Sequence, residues 1–311
     1  MKKRMGRRTF IKKSAVMGTI SLFTGGLGRL FHLFGRDVPD ISIVSGENYY
    51  TNTVKAVEVL GGMKRFVKKG SKVAVLANPQ RNNPGAFTSP YIAEAVSKMC
   101  IEAGAAEVNF ISWLPEKNWE STGLKDAVKR GGGNLKIVNL RDESFFRPTP
   151  VPLGKTLKEA RIMKELFNND IFINLPITKD HAGNKFTGTL KNMMGLNSPK
   201  SNRTFHKPDW KTNLNSITHL DQSIADLNTI LKPDLSIVDA TEFIITNGPF
   251  GPGKIFRPKK VVAGTDRVAI DSYCCMLWGL DPKDIIMINK AHEHGLGSMN
   301  LKKLKISELK T

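Results

Sequence analysis

Cysteine is scarce in this chain, with Cys100, Cys274 and Cys275 the complete set. Three thiols and no C-x-x-C pattern exclude a disulfide framework, a Cys/His zinc pattern and an iron-sulfur cluster held by the chain's own cysteines. The adjacent Cys274 and Cys275 fall in an apolar helical stretch, where free cysteine ordinarily serves as core. Acid is missing from residues 1–36, which hold nine Lys or Arg and no Asp or Glu. Long apolar runs are missing too: the uncharged run from Ser14 to Gly28 falls short of the roughly 18 to 20 apolar residues of a membrane span. There is no H-E-x-x-H and no nucleophile elbow, which removes the simplest zinc-protease and hydrolase readings.

The N-terminus has instead the charged-then-apolar layout of an export signal, and Arg7-Arg8-Thr9-Phe10-Ile11-Lys12 resembles the twin-arginine signal. This predicts the twin-arginine translocation machinery as a partner and an extracytoplasmic or periplasmic location. Cleavage after Thr24 is the first reading; retention as a membrane anchor through Leu30, Phe31, Leu33 and Phe34 is the second.

The whole chain carries 47 basic and 28 acidic residues; with residues 1–36 set aside, 38 basic residues stand against the same 28, a surplus of ten. A balance of that sign favours acidic small molecules or anionic membrane surfaces. Nucleic acid is not expected, because the cations are dispersed and no binding motif occurs.

Residues 37–311 predict an α/β domain with mostly parallel sheet covered by helices, formed as one domain or as two closely joined lobes with a cleft. Short apolar runs at Ile41–Val44, Lys72–Ala77, Glu107–Ile111, Leu135–Val138, Ile171–Pro176, Asp234–Asp239 and Lys260–Gly264 read as strands. Between them, helices are expected over 51–69, 89–103, 124–130, 156–167, 216–231, 267–277 and 282–292. Successive strand-then-helix units argue for parallel pairing through helical crossovers. Residues 141–155, with three prolines, read as a change of direction or an edge ribbon. Residues 194–210 read as a long surface loop, mobile or closing over a site.

The stretch from Lys179 to Gly195 follows a predicted buried strand, so it sits where ligands of open α/β sheets are found. Lys179 and His181 leave the strand; Thr187 or Thr189 opens a helix carrying Lys191 and Asn192. An ammonium and an imidazole near a helix N-terminus suit an anion, and for catalysis His181 supplies an acid/base group or a metal ligand and Lys179 a charge stabiliser or nucleophile. Solvated loop residues are the plain alternative.

Asp239 ends a strand and precedes a Gly/Pro loop at Gly248-Pro249-Phe250-Gly251-Pro252-Gly253, which presents backbone N–H groups to an anion or simply reverses the chain. The loop carries neither G-x-G-x-x-G nor G-K-[ST], so a nucleotide reading is not supported. Asp266 is placed to cap a helix, and Asp271, one turn further in apolar surroundings, needs a partner or a polar site. His292 and His294 form an H-x-H pair that either ligates metal or caps a helix ahead of Gly295. Metal identity is open, with His181, His292 and His294 the ligand candidates.

Five ordered blocks resemble the domain of unknown function family 362: Asn78-Pro79 with Thr88-Ser89-Pro90; Lys179-x-His181 with Thr187-Gly188 and Lys191-Asn192-x-x-Gly195; Asp239 with Gly248-Pro249 and Gly251; Asp266-x-Val268-Ala269-x-Asp271; and Gly295-x-Gly297. They run from about Ile41 to Ile306. Ala77 precedes Asn78-Pro79 where the family usually places Lys, which removes one cation from the implied site. Some family members carry ferredoxin-like modules; redox function is not carried over to this chain. A remoter similarity of plan to nickel-dependent lactate racemases implies two α/β lobes about a cleft, but fold does not fix function.

The resemblance implies a site with Lys179, His181 and Asp271 as catalytic candidates and Asn78, Thr187, Lys191, Asn192, Asp239, Gly248 and Asp266 as ligand-binding ones. The chain is then an exported enzyme or cofactor-dependent protein acting on an anionic small molecule, its cofactor unknown. The alternative is a binding module or an accessory of a membrane redox system.

Overall fold

The structure, a computed structural model, describes residues 38–311. The export signal or anchor expected at the N-terminus lies outside the described residues. Among the described residues, no helix is long and apolar enough to cross a membrane.

In chain order, strand β1 (Ile41–Ser45) leads to helix α1 (Tyr49–Val59), whose first turn is capped by the Asn48 side chain at 3.0 Å from the Thr51 N–H. The expected helix to residue 69 stops a decade early. Gly61 and Gly62 take positive φ values of 96° and 80°, a conformation open to glycine that ends a helix at little cost. β2 (Lys72–Ala77), α2 (Pro90–Glu102), β3 (Glu107–Ser112), α3 (Glu116–Ser121), α4 (Leu124–Arg130) and β4 (Asn134–Ile137) complete two right-going crossover units. α2 has Pro90 in its first turn and Gly104 at φ +97° past its end, the asymmetry its sequence shows.

β5 (Phe146–Pro150) pairs antiparallel with β6 (Glu159–Met163), so the edge ribbon forms but the helix expected over 156–167 does not. The Asp226 carboxylate takes the Thr156 and Leu157 N–H groups at 2.6 and 2.8 Å, and Ala160, Ile162 and Met163 are buried. Tertiary partners for backbone and side chains here outweigh helix propensity. β7 (Ile171–Leu175) follows, then α5 (Thr189–Asn192) and α6 (Pro199–Phe205), a short helix in the stretch expected to lack structure. Ser198 caps α6 and Pro199 opens it. The remainder is α7 (Leu214–Asn228), β8 (Leu235–Ala240), a two-stranded ribbon of β9 (Phe243–Ile244) and β10 (Ile255–Phe256), β11 (Lys260–Gly264), α8 (Arg267–Met276), α9 (Ile286–Glu293) and β12 (Ile306–Lys310).

One eight-stranded sheet, in the order β12-β1-β11-β8-β7-β2-β3-β4, runs through residues 38–311. The fold is therefore α/β and mostly parallel, built on a single sheet rather than on two lobes. Only β11 runs against the rest, pairing antiparallel with both β1 and β8. Side chains alternate faces along each strand. Ala74 and Leu76 enter one apolar core with α5, α7, α8 and α9; Val73, Val75 and Ala77 enter a second with α1, α2 and α4. Cys274 and Cys275 lie buried in the first core and Cys100 in the second. Burial pushes the Cys100 thiol up to about 12, so it stays protonated.

From β2 the chain moves outward through β3 to β4, then returns to β7 on the other side of β2. The loops that leave β2 and β7 at their carboxyl ends diverge there, opening a crevice at the switch in strand order.

Candidate functional site

A cleft of about 400 Å³ occupies that crevice. Its floor comes from Ala77 to Gln80 after β2, its sides from Trp113 and Leu114 after β3 and from His181 and Ala182 after β7. Gly248 to Phe250 close one end, and Asn202, His206, Trp210 and Lys211 close the other. Six of the residues singled out from the sequence converge on it: Asn78, His181, Thr187, Lys191, Asn192 and Gly248. No Asp or Glu lines it.

Beneath the floor lies Lys179, fully buried, with its ammonium 2.6 Å from the Ala86 carbonyl, 3.3 Å from Gln80 Oε1 and 3.4 Å from Asn78 Oδ1. A lysine only donates, so it turns both amide oxygens toward itself. Asn78 Nδ2 then donates to Asn192 Oδ1 at 3.3 Å, and Asn192 Nδ2 donates to the Leu76 carbonyl and to Asn174 Oδ1 at 3.1 and 2.8 Å. The orientation imposed by Lys179 at one end agrees with that imposed by the Leu76 carbonyl at the other. Burial, and then the nearby Lys191 charge, pull the Lys179 amine down to about 7.

Lys191, also buried, reaches Asn184 Oδ1 at 3.2 Å. Asn184 hands the contact on, its amide nitrogen bonding the carboxylate of Asp221 on α7. Asp221 Oδ2 accepts from the Met287 N–H at the start of α9 at 3.1 Å. Burial lowers the Lys191 pKa and raises that of Asp221, as removing either charge from water must.

His181 Nδ1 lies 2.7 Å from the Ala182 carbonyl, and His206 Nδ1 lies 2.9 Å from the Asn202 carbonyl. A carbonyl only accepts, so each Nδ1 carries the proton and each neutral ring keeps its lone pair on Nε2. Both rings pack on Trp210, at centroid distances of 5.4 and 4.9 Å. Burial, and then Lys191, hold His181 well below its ordinary pKa. At neutral pH it is an uncharged base or ligand.

The three aspartates expected in the site do not line it. Asp271 receives the Thr189 and Leu190 N–H groups at 2.6 and 3.0 Å, filling the N-terminus of α5 that the sequence suggested for a ligand anion. It positions the helix that carries Lys191 and Asn192. A Cβ on Gly188 would stand 2.3 Å from Asp271 Oδ1, so only glycine admits this approach. Asp239 accepts from the Ser89 N–H at 2.6 Å, ahead of α2, and from the Thr241 N–H and hydroxyl at 2.9 and 2.6 Å. Burial raises Asp271 to about 7 and Asp239 to about 6.

Asp266 caps α8 through the Ala269 N–H at 2.9 Å and takes the Ser298 N–H at 2.9 Å. It follows β11, the one reversed strand, whose carboxyl end lies at the edge of the sheet away from the cleft. The chain after Ala77, after Pro176 and after Asp239 supplies lining residues of the cleft, and the chain after Gly264 supplies none. Gly248 reaches the cleft without offering its N–H, which donates to Asp180 Oδ2 at 2.8 Å. A Cβ there would come within 1.9 Å of the Asp180 carbonyl oxygen.

His292 and His294 lie away from the cleft. His292 Nδ1 bonds the Gly297 carbonyl at 2.8 Å, and His294 Nε2 bonds Asp226 Oδ1 at 2.8 Å. Among the described residues no group of three or more His, Cys, Asp or Glu side chains is placed to hold a metal ion. Sequence reasoning missed Gln80, Trp113, Asn184, His206, Trp210 and Asp221. His206 and Trp210 lie in the polar stretch read as a long surface loop, mobile or closing over a site, where a histidine and a tryptophan four residues apart were the available signal.

A thylakoid-associated protein of Synechocystis sp. is 27% identical over 259 residues, covering 80% of this chain and 77% of that one. The solved structure of the lactate racemase apoprotein from Thermoanaerobacterium thermosaccharolyticum aligns over 82% of this chain at 14% identity with a TM-score of 0.44; this chain spans 55% of its length. The family profile described as domain of unknown function (DUF362) matches residues 72–276, a narrower span than the motif blocks but well over half of the chain. The chain belongs to the DUF362 family.

Proposed function

We propose that the cleft binds an anionic small molecule and performs acid/base chemistry on it, with Lys191 holding the negative charge and His181 Nε2 receiving or returning a proton. The observation that carries this reading is the charge of the site. Two buried amines and two neutral imidazoles gather at one cleft whose wall holds no carboxylate, and the one buried acid nearby, Asp221, is turned to Asn184 and α9. A buried amine with no carboxylate in direct contact is costly, and an anion in the cleft supplies that contact for Lys191, which Asp221 reaches only through Asn184. Lys179 lies under the floor, bonded to three neutral oxygens; its part is to orient Asn78 and Gln80.

The proposal includes export. Arg7-Arg8 and the acid-free N-terminal segment support delivery by the twin-arginine machinery, with the N-terminus available as a membrane anchor; the name of the Synechocystis protein supports a place beside a membrane. The test is to purify the full chain from its own compartment, identify any bound mass or metal, and titrate small carboxylates and phosphates by tryptophan fluorescence, using His181→Ala alongside. An anion that binds and is turned over by the wild type but only bound by His181→Ala establishes the reading. Binding without turnover in both leaves a carrier module, and no binding of any anion overturns it.

A further inference from the structure

The cleft is far larger than the charge it would neutralise. At about 400 Å³ it falls in the size range of pockets that enclose whole organic ligands, whereas a bare carboxylate or phosphate fills a small fraction of that space. Its cations are the buried Lys191 and the exposed Lys211, whose ammonium lies 5.7 Å from the Trp210 ring centroid. Three flat apolar side chains share the lining: Trp113 after β3, Trp210 between α6 and α7, and Phe250 beyond β9. Phe250 is 43% exposed at the mouth, with the Arg81 guanidinium 5.2 Å from its ring centroid and the Asn83 amide bonding its carbonyl at 2.6 Å. It is held in place from both sides while its ring remains open to the cleft.

From the size of the cleft and its mixed cationic and aromatic lining we infer that the ligand is an aromatic anion: an acidic group seated against Lys191, attached to a flat apolar body that packs on the aromatic lining of Trp113, Trp210 and Phe250. This rests on the anion reading above and narrows it. Stacking on aromatic side chains and burial of ring surface supply the affinity that a small hydrated ion lacks. The lone pair of His181 Nε2, beside Trp210, then faces the ring-bearing part of the ligand rather than open solvent.

The experiment compares matched pairs on the full-length wild-type protein by calorimetry and tryptophan fluorescence: acetate with benzoate, inorganic phosphate with phenyl phosphate, and benzamide as the uncharged control. In at least one pair the aromatic member is expected to bind tenfold or more tightly, with benzamide weaker than benzoate. The pair that shows the ratio identifies the acid. Trp210→Leu is expected to weaken the aromatic member of that pair at least fivefold more than the bare anion; equal loss of both would remove Trp210 from the ring seat. Equal binding of both members in each pair overturns the aromatic inference and leaves the anion site standing. Benzamide binding as well as benzoate, or no binding by any of the four anions, overturns the anion reading itself.

Discussion

Two groups of ionisable side chains at the strand ends and helix starts of this sheet are satisfied in opposite ways. Asp239, Asp266 and Asp271 each take two or more backbone or hydroxyl donors and face no cavity. Lys179 and Lys191 instead bond neutral amide and carbonyl oxygens, with the cleft beside them. An aspartate with two lone-pair oxygens can replace the missing turn of a helix or loop. A lysine bonded to amides has no carboxylate in direct contact; for Lys191 the nearest one, Asp221, acts from beyond Asn184. The acids build the fold and the amines leave a demand that a ligand can meet, although both types occur at strand ends and both looked like site residues in the sequence.

The largest expected effect breaks the acid side. Asp271→Ala leaves the Thr189 and Leu190 N–H groups buried and unmatched, at about 3 kcal/mol or more for two charge-assisted bonds. Urea unfolding should show that loss directly, and anion affinity should fall with it because α5 carries Lys191. A loss below about 1 kcal/mol would remove Asp271 from its positioning role.

The pH dependence of stability should separate the two groups next. A carboxyl raised in the folded state favours folding at low pH and loses that contribution as pH rises through its folded pKa. Asp239 and Asp271, at about 6 and about 7 against an ordinary 3.8, therefore make stability fall between about pH 4 and 7. Lys179, lowered from 10.5 to about 7, has the opposite sign. The unfolded chain binds the extra proton between those values, so stability rises from about pH 7 towards 10. The two arms give a minimum near neutrality. Urea midpoints across that range check it, and Asp271→Asn should flatten only the acid arm.

Much of this was legible in the sequence. The seven predicted strands, the parallel pairing and the position of Lys179-x-His181 after β7 follow from short apolar runs and their spacing. So does the cap at Asp266. What was not legible depends on partners distant in the chain. The Asp226 carboxylate that takes the N–H groups at 156 and 157 lies about seventy residues downstream, and it turned an expected helix into part of a ribbon. Strand direction was equally hidden: nothing local in Lys260–Gly264 says that β11 runs backward, yet this alone takes Asp266 away from the cleft. Asp221 reads as an ordinary helix residue until α5 and α9 pack against it.

Breaking the amine side tests the other half of the comparison. Lys191→Met removes the cation at the cleft while its methylenes are largely replaced, and Asp221, already raised by burial, is free to become neutral. Removing one partner of a buried pair is costly while the other keeps its charge, and an Asp221 that takes up a proton avoids that cost. The expected result is a change of about 1 kcal/mol or less in unfolding free energy and a loss of tenfold or more in anion affinity, about 1.4 kcal/mol. Equal losses of both would place Lys191 with the aspartates as a part of the scaffold.

The smallest effect is expected at His292, which separates the cleft from the H-x-H pair. Its exposed ring bonds one carbonyl, that of Gly297, just past the end of α9. A histidine there satisfies a terminal carbonyl and, when protonated, complements the negative end of the helix. His292→Ala should cost about 0.5 kcal/mol, the net contribution of one exposed hydrogen bond to a terminal carbonyl. Anion affinity should stay within twofold of the wild type, since the ring is not part of the cleft lining. Purified wild type and variant should also carry the same metal content. A metal lost on this substitution would mean that His292 ligates rather than caps, and would move the site's chemistry from the amine cluster at β7 to the end of α9.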